Sequence, residues 1–241
     1  MKILPGVEIV DLGLYFEKEK ILAVTDFHLG YEAALAEQGV FVPRHQTAVT
    51  IARLEKMFNK LENNRLKTET IVILGDIRHE FGHLTRWEIR DVTAVISLMK
   101  KHSKKIILLK GNHDTIKMYI ERMVEVKNEL VINNILFLHG DKLPTGLAKQ
   151  LKHVIIGHEH PAIKISDGVA SETVKCFLKG KWKHKDLIVI PSFNILTEGT
   201  NMLSEKLLSP FLKQKLDNFE AYAVTDDGIL AFGKLKSLKS S

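Results

Sequence analysis

Side chains that can bind divalent cations follow short apolar runs at five places in the chain. The runs cover residues 21–25, 71–74, 107–109, 135–138 and 154–156. The side chains, in chain order, are Asp26, His28, Asp76, Asn112, His139, His158 and His160. Together they offer more donors than one tetrahedral ion can take, and they suit two ions with five or six ligands each. The residue types therefore predict a binuclear metal centre, in which the two carboxylate oxygens of Asp76 can bridge the ions.

The charge of such a centre indicates the class of its substrate. Two divalent cations bring a charge of +4 and the two aspartates bring −2, so roughly +2 remains before any hydroxide is counted. A centre of this charge attracts a phosphoryl group and stabilises the charge that develops during in-line displacement. The chain contains no Gly-x-x-x-x-Gly-Lys-Ser/Thr segment and no Gly-x-Ser-x-Gly segment, which argues against a P-loop ATPase and a serine hydrolase.

Five short motifs carry a resemblance to a known family. In chain order they are Asp-x-His at 26–28, Gly-Asp-x-x-His at 75–79, Gly-Asn-His-Asp at 111–114, His-Gly-Asp at 139–141 and Gly-His-x-His at 157–160. In this order they resemble the calcineurin-like metallophosphoesterase superfamily, over about residues 20–195. Within that superfamily, the segments 75–81, 191–194 and 207–210 look closest to archaeal phosphoesterases related to the SbcD nuclease subunit.

The resemblance implies a division of the ligands between the two ions. The first ion would be held by Asp26, His28, Asp76 and His160. The second would be held by Asp76, Asn112, His139 and His158. Asp76 would bridge the ions together with a hydroxide that attacks phosphorus. The mixture of oxygen and nitrogen ligands favours Mn²⁺, with Zn²⁺, Fe and Ni²⁺ as alternatives.

Further residues are expected to act on the substrate. The resemblance implies that His113 stabilises the transition state or protonates the leaving oxygen, with Asp114 orienting its ring. His79 stands where nuclease relatives carry a second histidine that is not a ligand. Arg78 replaces a commoner apolar residue, and it either contacts a phosphate oxygen or pairs with its neighbour at position 80. Asn112 is expected to contact the substrate as well as the metal.

The elements around the motifs predict the fold. Helical periodicity covers residues 30–38, 44–63 and 86–101, the last with Trp87 facing inward, and these helices alternate with strand-like runs. This order predicts a parallel sheet with right-handed crossovers. From residue 123 onward closely spaced runs predict a second, largely antiparallel sheet, with helices only over Thr145–Lys152 and within Leu203–Phe219. We therefore expect an α/β fold of two packed mixed β-sheets flanked by helices, a four-layer α/β/β/α sandwich.

Composition bounds the setting in which the protein works. The 241 residues suit a single domain over 1–241, with 235–241 as a flexible basic tail, and the net charge of +6 mildly favours an anionic partner. Cys176 is the one cysteine, so no internal disulfide is possible and a reducing compartment is expected. The first ten residues are too interrupted for a signal peptide, and no apolar run approaches the roughly 20 residues that cross a bilayer. We expect a cytoplasmic protein with no membrane partner.

Three functions remain open on the sequence alone. The first is a metal-dependent phosphodiesterase, acting on nucleic acids or nucleotides. The second is a phosphomonoesterase, which a tight cap or additional basic residues around the site would favour. The third is a metallophosphoesterase fold that serves as a protein-interaction scaffold, which the complete set of ligands argues against. A homodimer is an additional alternative, through a surface that the sequence does not locate.

Overall fold

The first half of the chain builds a seven-stranded sheet whose strands keep the order of the sequence. A computed structural model describes residues 1–40, 43–79, 85–113, 118–166 and 171–238. The strands of this first sheet are β1 (Lys2–Leu4), β2 (Val7–Val10), β3 (Gly13–Phe16), β4 (Ile21–Val24), β5 (Thr70–Ile73), β6 (Lys105–Leu109) and β7 (Glu125–Lys127). The strands β1 to β4 pair antiparallel, whereas β4, β5, β6 and β7 pair parallel. The predicted parallel sheet is therefore confirmed, with antiparallel hairpins added at its amino-terminal edge.

The second half of the chain builds a nine-stranded sheet. Its strands are β8 (Glu129–Ile132), β9 (Ile135–Leu138), β10 (His153–Ile156), β11 (Pro161–Ser166), β12 (Ser171–Trp182), β13 (Lys185–Val189), β14 (Thr200–Asn201), β15 (Glu220–Thr225) and β16 (Gly228–Lys234). The strands β9, β10 and β13 pair parallel, and most of the other pairs are antiparallel. The fold is thus α/β with two mixed sheets flanked by helices, as predicted.

Alternating side chains separate the two faces of the second sheet. Phe137 and Ile155 belong to the core that this sheet shares with the first sheet, whereas their neighbours Leu136 and Val154 belong to a second core on the opposite face. Phe137 meets Phe16 of β3 edge-on, with ring centroids 5.1 Å apart. A strand that is buried on both faces reads as a continuous apolar run. This explains why the sequence shows uninterrupted apolar segments before each motif.

The helices sit mainly on the first sheet. They are α1 (Tyr31–Glu37), α2 (Gln46–Asn63), α3 (Arg86–His102), α4 (Met118–Glu121) and α5 (Leu235–Leu238). The first three match the predicted helices within two residues at each end. Thr85 begins α3 with a capping box, in which its side chain and that of Glu88 satisfy each other's backbone N–H groups. None of the helices in the described ranges is long and apolar enough to cross a membrane.

One predicted helix is wrong, and another is reduced to a single 3₁₀ turn. No helix forms over residues 145–152, because Leu151 is the one buried side chain there and the segment has no apolar stripe to pack. Residues 203–219 contain only a 3₁₀ helix, Pro210–Leu212, and Pro210 lacks the N–H that a helix continuing through it from the preceding residues would need. This segment nevertheless covers the second core, with Phe211 and Leu212 fully buried. A coil with a short 3₁₀ turn therefore covers much of the outer face of the second sheet.

Two further expectations fail locally. Trp87 does not face inward, because it lies in the first turn of α3 and 56% of it is exposed. The basic tail does not begin at residue 235, since Leu235 is buried and starts α5. Residues 239–241 lie outside the described residues. Cys176 is buried in the second core, where it packs as a small apolar side chain.

Candidate metal centre

The five motifs converge at the carboxyl ends of the parallel strands. Strands β4, β5 and β6 of the first sheet and β9 and β10 of the second each end one to three residues before a predicted ligand. Parallel neighbours present their carboxyl ends at the same edge, so these loops share one rim. Hydrogen bonds link the loops directly: the His28 N–H donates to Asp76 O at 2.9 Å, and the Gly157 N–H donates to His139 O at 2.8 Å.

Unusual backbone angles direct most of the predicted ligands. The positive φ angles are 53° at Asp26, 45° at His28, 49° at Asp76, 67° at His158 and 51° at His160. Residues with a Cβ rarely adopt this region, at a cost of about 1–2 kcal/mol each. Such strain persists where the surrounding structure imposes it, and it is concentrated at functional sites.

A first donor group consists of Asp26, His28 and His160, whose ligand atoms all lie within 4.8 Å of one another. The Nε2 atoms of His28 and His160 face each other at 3.2 Å, and His160 Nε2 lies 3.4 Å from Asp26 Oδ1. Within the described residues, the buried Asp26 Oδ1 accepts no hydrogen bond. An unsatisfied buried carboxylate oxygen beside two converging ring nitrogens fits a divalent cation.

A second donor group consists of Asp76, His139 and His158, again within 4.8 Å. His139 Nδ1 donates to the carbonyl of Leu74 at 2.7 Å, which directs Nε2 into the group. That Nε2 lies 3.1 Å from His158 Nδ1, 3.4 Å from Asp76 Oδ2 and 2.9 Å from Asn112 Oδ1. Four donor atoms therefore surround one small volume, and they too fit a divalent cation.

Asp76 lies between the two groups. Its Oδ2 is 3.8 Å from His28 Nε2 and 3.4 Å from His139 Nε2, while its Oδ1 accepts a hydrogen bond from the His113 N–H at 2.9 Å. Gly111 allows this approach, because a Cβ at that position would overlap the Asp76 carboxylate. The carboxylate is thus held where it can contact both ions.

The electrostatics favour cations. Burial raises the pKa of Asp26. The neighbouring histidines, above all His160, lower it by more than burial raises it, so the pKa of Asp26 lies well below its usual range. Burial lowers the pKa of His28 to about 3, which keeps its ring neutral and able to act as a ligand. Burial also opposes protonation of His139, but its hydrogen bond with Asp76 and the charge of Asp26 outweigh burial and raise its pKa to about 9. Negative charge at this centre therefore attracts either a proton or a metal ion.

Two of the three predicted catalytic residues, His79 and His113, lie beside the first donor group. The ring of His113 is 5.1 Å from that of His28 and 5.6 Å from that of His79. His113 Nδ1 donates to the carbonyl of His79 at 2.8 Å, because a carbonyl can only accept. In the neutral form of the ring, the proton is therefore on Nδ1. Any further proton is bound or released at Nε2. Asp114, the predicted orienting residue, lies outside the described residues.

Arg78 is placed differently from its predicted role. Its side chain is 1% exposed, and its Nη2 donates to Glu88 Oε1 at 2.9 Å. Because the Arg78 guanidinium is buried and bonded to Glu88, it is less accessible to a substrate phosphate than an exposed guanidinium would be. A contact between Arg78 and a phosphate oxygen stays a prediction, and the ion pair gives the side chain a structural role. The alternative partner at position 80 lies outside the described residues.

A set of supporting residues had no role assigned from the sequence, although Ser192 and Asn194 lie in the segment 191–194 that carries part of the resemblance. Ser192 Oγ donates to the carbonyl of Asp26 at 2.7 Å, and the Asn194 N–H donates to the same carbonyl at 3.0 Å. Gln46 Nε2 donates to His28 O at 2.9 Å and to Asn194 Oδ1 at 3.1 Å. The signal for Gln46 was a polar residue on the otherwise mainly apolar buried face of α2. These contacts fix the strained loop that carries the first two ligands.

A buried carboxylate ties the second sheet to the same rim. Glu159, between two predicted ligands, accepts hydrogen bonds from the N–H groups of Leu208 and Ser209, at 3.0 and 2.7 Å. Ser209 Oγ donates in turn to the carbonyl of Gly140 at 2.8 Å. The loops that carry the second-sheet histidines are therefore joined through the segment that covers the second core.

Comparisons with known proteins bear on the family. The sequence profile of the calcineurin-like phosphoesterase family matches residues 19–181. No curated protein matches the chain at a significant level. The solved structure of the nuclease MPE of Pseudomonas putida superposes with a TM-score of 0.63 at 18% identity, covering 93% of this chain and 93% of that one. At this identity the likeness shows a shared fold.

A second solved structure is more distant. The phosphoesterase Yfce of E. coli is 17% identical, and the match covers 88% of this chain and 96% of that one. Its TM-score is 0.44, which is too low to support a structural argument.

Proposed function

The chain belongs to the calcineurin-like phosphoesterase family, and from that premise we propose that it hydrolyses phosphodiester bonds of nucleic acids or nucleotides. The observation that carries the proposal is the pair of donor groups that meet at Asp76, at the carboxyl edge of both sheets. Asp26, His28 and His160 would hold one cation, and His139, His158 and Asn112 the other. When bound, the cations supply positive charge to the phosphoryl oxygens and lower the pKa of water.

The side chains of the protein supply the remaining chemistry. His113 Nε2 would donate a proton to the leaving oxygen or a hydrogen bond to the phosphoryl group, since its Nδ1–H is already given to the His79 carbonyl. The His79 ring, 5.6 Å from that of His113 and 4.3 Å from that of Tyr31, would line the approach to the phosphate. Asn112 is exposed and would contact both a cation and the substrate.

The preference for diesters rests on the exposure of the rim. Asn112 is exposed, and His113, His158 and His160 are partly exposed, so within the described part of the chain a phosphate with two substituents has room to reach these atoms. A diester also needs a donor for its leaving group, which His113 would provide. A phosphomonoesterase is the alternative within the same family.

A panel of substrates tests the proposal. Purified protein is assayed with bis-p-nitrophenyl phosphate, p-nitrophenyl phosphate, cyclic nucleotides and single-stranded DNA, each with Mn²⁺, Zn²⁺, Ni²⁺ or Fe²⁺. We expect diester cleavage at rates above those for the monoester, with Mn²⁺ as the best activator. Monoester cleavage alone would replace the proposal by the alternative. Absence of both bound metal and activity would instead favour a non-catalytic scaffold.

Three finer statements are proposals that rest on sequence. We propose a relationship to the archaeal SbcD-related phosphoesterases, on the segments 75–81, 191–194 and 207–210. We propose a cytoplasmic location, on the single cysteine. We also propose that the protein forms a homodimer, and sedimentation velocity tests this.

A further inference from the structure

An exposed tryptophan lies between two arginines at the amino end of α3. Trp87 is 56% exposed, and the guanidinium carbons of Arg44 and Arg90 lie 5.3 and 5.8 Å from its ring centroid. We name these three residues the Trp87 platform. Tryptophan is highly buried on average, so this exposed ring beside two guanidinium groups offers a large flat surface to a ligand.

The platform borders a cavity of about 320 Å³ between α2 and α3. Two acidic side chains also line this cavity, but their charges are engaged internally. Glu32 is buried and accepts hydrogen bonds from the N–H groups of His45 and Gln46, both at 2.6 Å. Asp91 is partly buried and hydrogen-bonded to Thr47. Asp91 is only partly exposed, so the most exposed charges at the cavity are those of the two arginines.

The platform lies at the same edge of the molecule as the candidate metal centre. Helices α2 and α3 both begin at the carboxyl edge of the first sheet, where β4 and β5 end. Gln46 follows Arg44 by two residues and donates to the carbonyl of His28. Glu88 follows Trp87 directly and pairs with Arg78, which precedes His79. Two short chains of contacts thus connect the platform to the loops that carry the ligands.

We infer that the Trp87 platform binds a nucleotide of single-stranded nucleic acid that flanks the scissile phosphate. This rests on the proposed function, and it names a substrate class for the same site. The base would stack on the indole, and the arginines would contact the adjacent phosphates. An exposed cation–π contact is weak, so an arriving base can displace a guanidinium from the ring face. Bases within a duplex are already stacked, so a single strand fits the platform and a duplex does not.

Tryptophan fluorescence tests the contact directly. The chain has two tryptophans, and Trp182 is 8% exposed and packed against Phe211 in the second core, so emission that responds to ligand reports on Trp87. Oligothymidylate of about ten nucleotides is titrated into protein kept without divalent cations, to prevent cleavage. We expect quenching that Trp182→Phe retains and Trp87→Phe abolishes. Equal quenching in both variants would overturn the inference.

Affinity measurements separate stacking from charge. Trp87→Ala should lower the affinity for the oligonucleotide about tenfold and leave the affinity for heparin unchanged, because heparin has no bases. Ile89→Ala, an exposed apolar neighbour on the same helix, is the matched control. Equal losses for oligonucleotide and heparin would show that only charge attracts the ligand, and would contradict base stacking.

The two arginines are tested through the dependence on salt. Arg44→Ala combined with Arg90→Ala should reduce the slope of log affinity against log salt concentration by about 1.4, since each phosphate contact to a single strand contributes about 0.7. Arg65→Ala is the control, because Arg65 is exposed beyond the opposite end of α2, about 27 Å along the helix. An unchanged slope in the double variant would contradict the phosphate contacts.

Catalysis distinguishes this inference from the proposed function. Trp87→Ala should lower kcat/KM for a single-stranded oligonucleotide about tenfold, through KM, and leave bis-p-nitrophenyl phosphate cleavage unchanged. If the unaltered protein cleaves neither substrate, the proposed function fails and the fluorescence titration alone decides binding. If it cleaves both and Trp87→Ala changes neither, the inference fails and the proposed function stands. Parallel titrations with single-stranded RNA and with duplex DNA compare the affinity of the platform for these nucleic acids, and the duplex should bind more weakly than either single strand.

Discussion

Asp76 is the residue on which the two donor groups depend most. Its Oδ2 faces a histidine of each group, its Oδ1 is held by the His113 N–H, and its backbone has a φ of 49°. A neutral side chain at this position would remove charge from both cation sites at once. The same argument applies less strongly to Asp26, because the nitrogen of the second group that it faces, His139 Nδ1 at 3.8 Å, already donates to the carbonyl of Leu74.

Asp76→Asn should therefore lose metal and activity together. We expect the affinity for Mn²⁺ to fall more than about 100-fold and kcat for bis-p-nitrophenyl phosphate to fall at least about 1,000-fold, because one charge is removed from between both ions. Metal content by mass spectrometry and steady-state kinetics measure these changes. Asp186→Asn, at the amino end of β13, is the control that should change neither. Retained activity without metal would contradict the assignment.

His113→Ala should instead keep metal and lose turnover. General-acid assistance contributes about 100- to 10,000-fold, and it matters most for leaving groups that are poor without a proton. We expect the loss in kcat to be large for an alkyl diester and small for a p-nitrophenyl diester. His153→Ala, which alters a histidine at the amino end of β10, is the matched control. Equal losses for both leaving groups would show that His113 is not the proton donor.

Lys175 gives stability a dependence on pH. Its Nζ donates to the carbonyls of Ser192 and Asn194, and burial lowers its pKa from 10.5 to about 7. Between these values the unfolded chain holds a proton that the folded chain has lost. The free energy of unfolding should therefore rise with pH across this window, by up to about 1.4 kcal/mol per pH unit.

Lys175→Met should remove that rise. Urea unfolding between about pH 7.5 and 9.5 measures the slope for the unaltered protein, for Lys175→Met and for the control Lys179→Met. Lys179 lies on the same strand but pairs with the Glu220 carboxylate at 3.4 Å, whereas Lys175 donates to backbone carbonyls. Parallel slopes in all three proteins would show that Lys175 is not the group that titrates.

At the scale of elements, α3 is attached to the candidate centre by one buried ion pair. Arg78 follows the β5 loop, and Glu88 belongs to the first turn of α3, where it also completes the capping box with Thr85. Both charged side chains are less than 4% exposed. Removal of one partner from a buried pair leaves the other charge uncompensated, whereas replacement of both by apolar residues is often neutral.

Glu88→Ala should therefore lower the free energy of unfolding by about 3–5 kcal/mol, and Arg78→Met with Glu88→Leu should restore much of it. Denaturant unfolding measures both. The double variant also tests the predicted contact of Arg78 with phosphate, because it removes the guanidinium while keeping the fold. Unchanged KM for a diester in the double variant would contradict that contact.

At the scale of the whole molecule, the candidate centre joins the two sheets. The ligands come from loops of both sheets, and the sheets otherwise meet through an apolar core that includes Phe16 and Phe137. Two cations bound across this junction would bind the folded chain and not the unfolded one. Such binding stabilises the whole fold by mass action.

Metal should therefore raise the melting temperature. At a Mn²⁺ concentration about 100 times its Kd the stabilisation is about 2.7 kcal/mol for each occupied site, which corresponds to a shift of roughly 5–10 °C per site for a chain of this size. Differential scanning calorimetry with Mn²⁺ and with chelator measures the shift, and Asp76→Asn should abolish it. A shift that persists in that variant would place the bound metal elsewhere.

Local patterns determined much of this structure. Apolar runs that end in Asp, His or Asn gave the parallel strands and the residues at their carboxyl ends, because strand burial and loop exposure follow from the residues themselves. Helical periodicity located α1, α2 and α3 for the same reason. The sequence could not reveal the coil of residues 203–219, because the N–H groups of Leu208 and Ser209 donate to Glu159, a residue distant along the chain.

The tertiary structure alone decided how the side chains meet. The sequence by itself determined which seven donors the rim would carry, because each stands at the end of an apolar run. Only folding turned five of their backbones to positive φ, brought the ring nitrogens of the two histidines in each donor group to within 3.2 Å of each other, and turned Arg78 toward Glu88. Folding also placed the exposed Trp87, in the first turn of α3, beside Arg44, which lies just before α2. These outcomes depend on contacts between segments far apart in sequence, which no local pattern encodes.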